Sequence, residues 1–183
     1  MGIEKGPEFY TGKGYLKKFD SNYKIYSEAW KMIPKYSKKI FDLGCGIGYF
    51  ASILNKHYDY LGIDFSPIVI GIAKKAFPDM KFKVGSLLDE SIYKLYKDDG
   101  IYIILEALEH IEKDIEVLQY IPKNSIVILS VPNRDFISHV RYFKTITEVK
   151  NRYSKVLKIT DEKIIETNIN KKAKVFMIKG TIL

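Results

Sequence analysis

The decapeptide Lys39-Ile-Phe-Asp-Leu-Gly-Cys-Gly-Ile-Gly48 limits what this chain can become more than any other stretch. Lys39 to Leu43 is short and mostly apolar, as a buried strand is, and the glycines at 44, 46 and 48 stop it. Glycine accepts positive φ and lets the backbone approach a ligand with no Cβ in the way. Tyr49 to His57 then reads as a helix, whose first amides and positive dipole end would face the loop. Strand, glycine loop and helix in that order open a parallel α/β sheet. Ligands of such sheets bind beyond the carboxyl ends of the strands.

The rest of the chain keeps the alternation. A first helix is expected from Ser21 to Ile33, stopped by Pro34, with Tyr23, Tyr26 and Trp30 on one face. Tyr58–Ile63 is a second strand, and Ser66-Pro67 opens a helix with a serine N-cap and a proline in the first turn. Lys81–Val84 is a third strand, followed by a helix through Tyr96. Ile101–Leu105 is a fourth, Glu106–Tyr120 a helix, and Ser125–Val131 a fifth strand. Residues 132–143 read as loop and Thr147–Tyr153 as a short helix. Val156–Thr160 and Lys174–Ile178 are two further strands with no room for a full crossover helix, hence antiparallel. The expectation is a doubly wound α/β fold, with a mostly parallel seven-stranded sheet holding one antiparallel strand. A single domain would span 1–183: an N-terminal helical or lid segment (1–37), a ligand-binding core (38–131) and a C-terminal loop, helix and hairpin (132–183).

Asp42, at the end of the first strand, puts a carboxylate into the expected cleft, which repels phosphate and suits an ammonium group. Asp64, at the end of the second, is placed to accept hydrogen bonds from two ribose hydroxyls. Phe65 and Ser66 follow where an adenine would rest. Gly85-Ser86-Leu87 would border the far edge of the base, and Leu105-Glu106 would face the centre. Gly46-x-Gly48-x-x-Ala51, with Asp64 18 residues after Gly46, also fits a dinucleotide fingerprint. Asp42 argues against a pyrophosphate there, and no second domain offers a hydride acceptor site. Tyr93-x-x-x-Lys97 looks like a dehydrogenase pair but falls between strands three and four, and reads as a solvated helix face. No Gly-x-x-x-x-Gly-Lys-Ser/Thr run is present, which excludes a P-loop.

Phe41-Asp-Leu-Gly-Cys-Gly-Ile-Gly-Tyr-Phe50 resembles the first motif of the class I S-adenosylmethionine-dependent methyltransferases, in their small type 11/12-like form. Leu61-Gly-Ile-Asp-Phe-Ser-Pro67 resembles their acidic motif. Ile104-Leu-Glu-Ala-Leu-Glu-His-Ile111 and Ile128-Leu-Ser-Val-Pro-Asn133 resemble the later two, and all four stand in the family's order. The resemblance implies a Rossmann-like methyltransferase fold with S-adenosyl-L-methionine as cofactor. By it, Asp42, Gly44, Cys45, Gly46 and Gly48 would hold the methionine end and Asp64 the ribose. Phe65, Ser86 and Leu87 would flank the adenine, and Leu105 would lie near the reactive methyl. Many relatives carry an acid where this chain has Ser86, so that contact is weaker or made by backbone.

Glu106, Glu109 and His110 would share one face of a helix starting at the cleft. Similar Glu-x-x-Glu-His runs occur in small-RNA 3′-terminal methyltransferases, where they help bind a divalent ion, and in ubiquinone-pathway O-methyltransferases. His139, in the loop after strand five, is the further ligand such a site would draw on. The reading adopted assigns no metal and takes His110 as the catalytic base, since an unperturbed imidazole titrates near ~6.5. Cys45 has no base nearby in sequence and reads as a small spacer. Tyr10, Tyr15, Tyr23 and Tyr26 are candidates to close over the cleft, although core packing of the first helix accounts for the last two.

Charge leaves the partner open. The net charge of +8 is concentrated in two flanks, nine lysines against four acids in residues 1–39 and eight Lys and Arg against three acids in 151–183. No basic cluster is dense enough for specific nucleic-acid binding, and lysine-rich surfaces are common. The expected partner is therefore a small-molecule methyl acceptor. The alternatives are an RNA methyltransferase with a Glu-x-x-Glu-His metal site, or a non-catalytic cofactor-binding module. No run approaches the ~18 apolar residues of a membrane span. Met1–Tyr15 has no apolar signal core, and the single cysteine forms no intrachain disulfide. The expectation is a cytoplasmic monomer or homodimer without membrane contact.

Overall fold

The computed structural model describes residues 2–11, 19–37, 39–54, 57–94, 100–167 and 173–183. Its centre is a seven-stranded sheet in the order β3-β2-β1-β4-β5-β7-β6. The strands are β1 (Lys39–Leu43), β2 (Asp59–Asp64), β3 (Lys81–Val84), β4 (Ile101–Leu105), β5 (Ile126–Pro132), β6 (Leu157–Glu166) and β7 (Lys174–Ile182). β1 to β5 pair in parallel, whereas β7 runs antiparallel to both β5 and β6. The mixed sheet and its one reversed strand are as expected. β6 is longer than its sequence suggests. It continues as the charged stretch Asp161-Glu162-Lys163, past a register shift between Ile159 and Asp161, because β7 supplies a partner for every residue from Asp161 to Glu166.

The helices are α1 (Phe19–Met32), α2 (Pro67–Ala76), α3 (Ser91–Lys94), α4 (Asp114–Tyr120) and α5 (Ile146–Tyr153). They cover both faces. Strand side chains alternate between faces. Thus Phe41, Leu43, Tyr102, Ile104, Val127 and Leu129 pack with Val117 and Leu118 of α4 and Tyr153 of α5. Ile40, Tyr60, Ile101, Ile103 and Ile128 pack with Ile25 and Ala29 of α1 and Ile70 and Ala73 of α2. The N-cap of α2 is the predicted one, Ser66 Oγ accepting from Val69 N at 3.4 Å, with Pro67 in the first turn.

Three expectations give way. The buried stripe of α1 is Ile25, Ala29 and Met32, continued by Ile33 just past its end, while Tyr23 and Trp30 are exposed and only Tyr26 turns inward. The aliphatic residues, not the large aromatics, set the core face. Tyr49–His57 is not a helix: a 3-10 turn at Ala51–Ile53 is all that forms, followed by extended Leu54. Phe50 offers no side-chain cap, and Phe50, Ala51 and Leu54 are each pinned in the core. The dipole argument for the glycine loop goes with that helix. Glu106–Tyr120 is broken as well. Glu106 takes φ +53°, Leu108–His110 forms a separate 3-10 turn, and α4 starts only at Asp114. Tyr15, Tyr96 and Lys97 lie outside the described residues. Among the described residues no helix is long and apolar enough to cross a membrane.

Candidate active site

β1 lies between β2 and β4, so the chain's crossovers diverge beyond its carboxyl end, where the glycine loop sits. Gly44, Gly46 and Gly48 have φ of +78°, +56° and +85°. The loop is tied to β2: Gly44 N and Cys45 N both donate to Ile63 O, at 2.8 and 3.0 Å. Gly46 N donates to Asp64 Oδ2 at 3.1 Å, and Ser66 N to Asp64 Oδ1 at 3.0 Å. Asp64 therefore joins the loop to the start of α2. Burial raises its pKa against these backbone bonds. Asp42 is more deeply buried and accepts Tyr60 Oη–H at 2.7 Å. Desolvation, with the Asp64 charge adding to it and the Tyr60 bond opposing, raises its pKa to about 7.

Two cavities open along this edge of the sheet. The larger is walled by Asp42, Gly44, Cys45, Gly46 and Leu105 on the loop side, and by Glu109, Arg134, Phe136 and His139 opposite. The second is walled by Asp64, Phe65, Ser86, Leu87 and Ala107, with Glu4 and Lys5 from the N-terminus. Gly44, Glu106 and His110 line both, so the cavities form one cleft with a waist at these residues. Phe65 is 38% exposed at its rim. Tyr93 Oη donates to Leu87 O at 2.9 Å and fixes the far wall.

Nine of the ten residues expected to touch a cofactor thus line this cleft. Gly48 does not: a Cβ there would meet Phe82 Cζ at 2.9 Å and Phe77 at 3.0 Å, so it is a packing position beneath the loop. Cys45 is buried, its thiol pKa is pushed up by desolvation, and Sγ donates to Gly46 O at 3.5 Å. It is no nucleophile. Sequence reading missed the conformation of Glu106. Its N–H donates to Ser130 O (3.2 Å) and Oγ (3.1 Å), and Ser130 Oγ–H donates back to Glu106 Oε1 at 2.9 Å. Of residues 134–141 it singled out His139, but it missed Arg134, Phe136 and Ser138, which line the cavity with it.

Residues 40–123, which hold the glycine loop, Asp64 and His110, match the model of the methyltransferase domain family. The family model and the similar structures below are of S-adenosylmethionine-dependent methyltransferases of the class I type. The match indicates S-adenosylmethionine as the methyl donor. Solved structures share the Rossmann-like fold at low identity. A chain of the Haloferax volcanii complex that contains the Trm112 methyltransferase activator superposes with a TM-score of 0.76 at 15% identity, over 99% of both chains. A methyltransferase from Anabaena variabilis gives 0.72 at 12% identity, over 100% of this chain and 98% of that one. The O-methyltransferase NcsB1 of neocarzinostatin biosynthesis, in complex with S-adenosyl-L-homocysteine and 1,4-dihydroxy-2-naphthoic acid, gives 0.73 at 15% identity. That match covers 97% of this chain and 59% of NcsB1. A search of the curated proteins finds no match to the sequence.

The methyltransferase's cleft suits that donor chemically. A Cβ on Gly46 would meet nothing within 4 Å, so the loop leaves open space where a ligand backbone can approach. One wall carries a carboxylate (Asp42) for a cationic amino acid end. The other carries a carboxylate beside an exposed ring (Asp64, Phe65) for a ribose and a base.

Proposed function

We propose that this methyltransferase acts on a small-molecule acceptor held in the larger cavity. The observation carrying the proposal is the waist: Gly44, Glu106 and His110 join a chamber suited to a nucleoside to one walled by Phe9, Tyr26, Phe136, Arg134 and Lys174. Aromatic walls with two cationic side chains suit an acceptor that has an apolar ring and an acidic or strongly polar group. A similar structure, the NcsB1 complex, holds a naphthoic acid, a ligand of that kind.

In this reading Asp64 accepts the ribose hydroxyls, and Phe65, Ser86 and Leu87 flank the adenine. Asp42, Gly44, Cys45 and Gly46 hold the methionine end, and Leu105 packs beside it. S-adenosylmethionine, when bound, supplies an electrophilic methyl group on a sulfonium sulfur. The chain's own work is alignment across the waist, exclusion of water, and handling of the acceptor's proton. His110 is placed for the last. Its Nδ1 lies 2.9 Å from Ser138 O, and a carbonyl only accepts, so the proton sits on Nδ1 and the lone pair on Nε2.

Calorimetry with S-adenosylhomocysteine tests the cofactor assignment. The parent should bind one equivalent, and Asp64→Ala should bind at least about tenfold more weakly, the equivalent of one lost charge-assisted hydrogen bond. No binding by the parent would refute the reading. Turnover of hydroxylated aromatic acids, absent in His110→Ala, tests the acceptor side.

A further inference from the structure

Three side chains on the acceptor side of the waist come together in a way methyl transfer does not require. Glu109, His110 and His139 each offer one ligand atom, and these atoms lie within 4.8 Å of one another. All three line the larger cavity. Glu109 is 1% exposed, and its Oε2 has no hydrogen-bond partner. Ser138 Oγ, whose residue lines the same cavity, is the other buried side-chain polar atom without a partner among the described residues. A buried polar atom left without a partner is costly, and more so when it is charged. Both unpartnered atoms belong to the lining of one cavity, where a bound group can satisfy them.

The imidazoles are set the same way. His110 Nδ1 faces Ser138 O at 2.9 Å and His139 Nδ1 faces Arg134 O at 3.0 Å, so each donates to a backbone carbonyl and keeps its lone pair on Nε2. Backbone carbonyls that orient imidazoles in this manner are the outer shell of metal-ligating histidines. The rings are edge to face with centroids 4.9 Å apart, and His110 Nε2 lies 3.8 Å from Glu109 Oε1. The support is rigid. Val140 N donates to Glu109 O at 2.8 Å, and Arg141 forks onto the carbonyls of Leu108, Ile111 and Glu112. The 3-10 turn and the 134–141 loop are thereby locked to each other.

We propose that Glu109, His110 and His139 form a binding site for one divalent transition-metal ion, of the borderline class that accepts imidazole nitrogen together with carboxylate oxygen. Two nitrogens among three ligands favour Zn²⁺ or Co²⁺ over Mg²⁺ and Ca²⁺, which prefer all-oxygen sets. Ligands about 2.0–2.1 Å from a tetrahedral ion sit about 3.4 Å apart, so the side chains need to draw in by at most about 1.5 Å. Glu106 is not a ligand, since Ser130 holds its carboxylate, but its charge adds to that of Glu109, with Arg134 and Arg141 offsetting part of it. Three protein ligands leave a position open to the cavity, where an oxygen donor of the acceptor can bind and lose its proton more readily. With the ion bound, His110 serves as its ligand instead of as the base of the proposed function, and the proton leaves to solvent. The ion site stands on its own ligands; this consequence alone rests on the methyl-transfer reading.

The test is Co²⁺ titration of chelator-treated protein, followed by visible d–d absorption, with Zn²⁺ and Mg²⁺ as competitors. One equivalent of Co²⁺ should give bands of a four- or five-coordinate nitrogen-containing site, bleached by Zn²⁺ and untouched by equimolar Mg²⁺. Glu109→Gln and His139→Ala should each weaken Co²⁺ binding at least about tenfold while retaining S-adenosylhomocysteine binding, which also certifies their fold. The site is overturned if the parent shows no such bands, if Mg²⁺ displaces Co²⁺ as well as Zn²⁺ does, or if both folded variants bind Co²⁺ like the parent. The two readings fail separately. Parent protein that binds Co²⁺ but not S-adenosylhomocysteine keeps the metal site and loses the methyl-transfer reading, and the converse result does the reverse.

Discussion

Alanine at Gly46 and at Gly48 should do opposite things, although the residues are two apart in one loop. Both have positive φ, +56° and +85°, so each alanine carries about 1–2 kcal/mol of left-handed strain. They differ in what the new methyl meets. At Gly46 it meets nothing within 4 Å and enters the cleft, so the fold loses only the strain. For a chain of this length that is a fall in Tm of about 2–8 °C. The ligand must then overlap a methyl, an overpacking cost of about 1–3 kcal/mol, which weakens S-adenosylhomocysteine about 5- to 150-fold. At Gly48 the methyl sits 2.9 Å from Phe82 Cζ, and that ring is hemmed in by Tyr60 and Phe77, with centroids at 5.6 and 6.5 Å. Strain and overpacking add to about 2–5 kcal/mol, or about 4–20 °C in Tm. Affinity in the folded protein should stay within about threefold of the parent. Thermal unfolding and calorimetry on the two variants decide the matter. A Gly46→Ala protein that binds like the parent, or a stable Gly48→Ala protein that has lost binding, would refute the placement of the loop.

Other outcomes follow from the same geometry. Because burial raises the Asp42 pKa to about 7, above its unfolded value, the folded chain holds a proton there that the unfolded chain has released. Stability from this group is full below the unfolded pKa and is lost as pH rises through 7. The cationic amino acid end of the ligand needs the charged form, so S-adenosylhomocysteine affinity should rise about tenfold from pH 6 to 8, and Asp42→Asn should flatten the profile. Asp114 is fully buried and accepts from Arg152 Nε (2.8 Å) and Nη2 (2.6 Å) and from Tyr153 Oη (3.0 Å). Asp114→Ala should cost about 3 kcal/mol in urea unfolding, the low end for a broken buried pair because the Arg152 side chain is 36% exposed. Arg141→Lys removes the fork that ties Leu108, Ile111 and Glu112 to the 134–141 loop. It should weaken Co²⁺ about tenfold with S-adenosylhomocysteine binding unchanged, and equal loss of both would refute its role as a positioning residue.

What was legible in the sequence was whatever neighbouring residues decide. Ser66-Pro67 starts α2 by a local cap, and apolar runs such as Ile101–Leu105 can only be buried strands. The glycine loop, Asp42 and Asp64 were legible for the same reason, since the end of a strand is a local event. What was hidden depends on partners far along the chain. The continuous helix expected from Glu106 to Tyr120 is a sound local reading, and it fails because Ser130, 24 residues on, offers both an acceptor for Glu106 N–H and a donor for its carboxylate. Left-handed Glu106 then sends the chain into a 3-10 turn, whose carbonyls are gathered by Arg141, 30 or so residues away. Had the helix been intact, Glu106, Glu109 and His110 would have shared a face by periodicity. The break separates them instead: Glu106 stays at the waist against Ser130, while Glu109 and His110 turn toward His139. The sequence motif and the spatial cluster are therefore different sets, and only the second has two imidazoles held by carbonyls around a buried carboxylate. The substitution that tests this is Ser130→Ala. Without the hydroxyl, Glu106 loses the bond that fixes its carboxylate, at about 1–2 kcal/mol. Catalysis across the waist should then suffer, while Co²⁺ binding at Glu109, His110 and His139 persists.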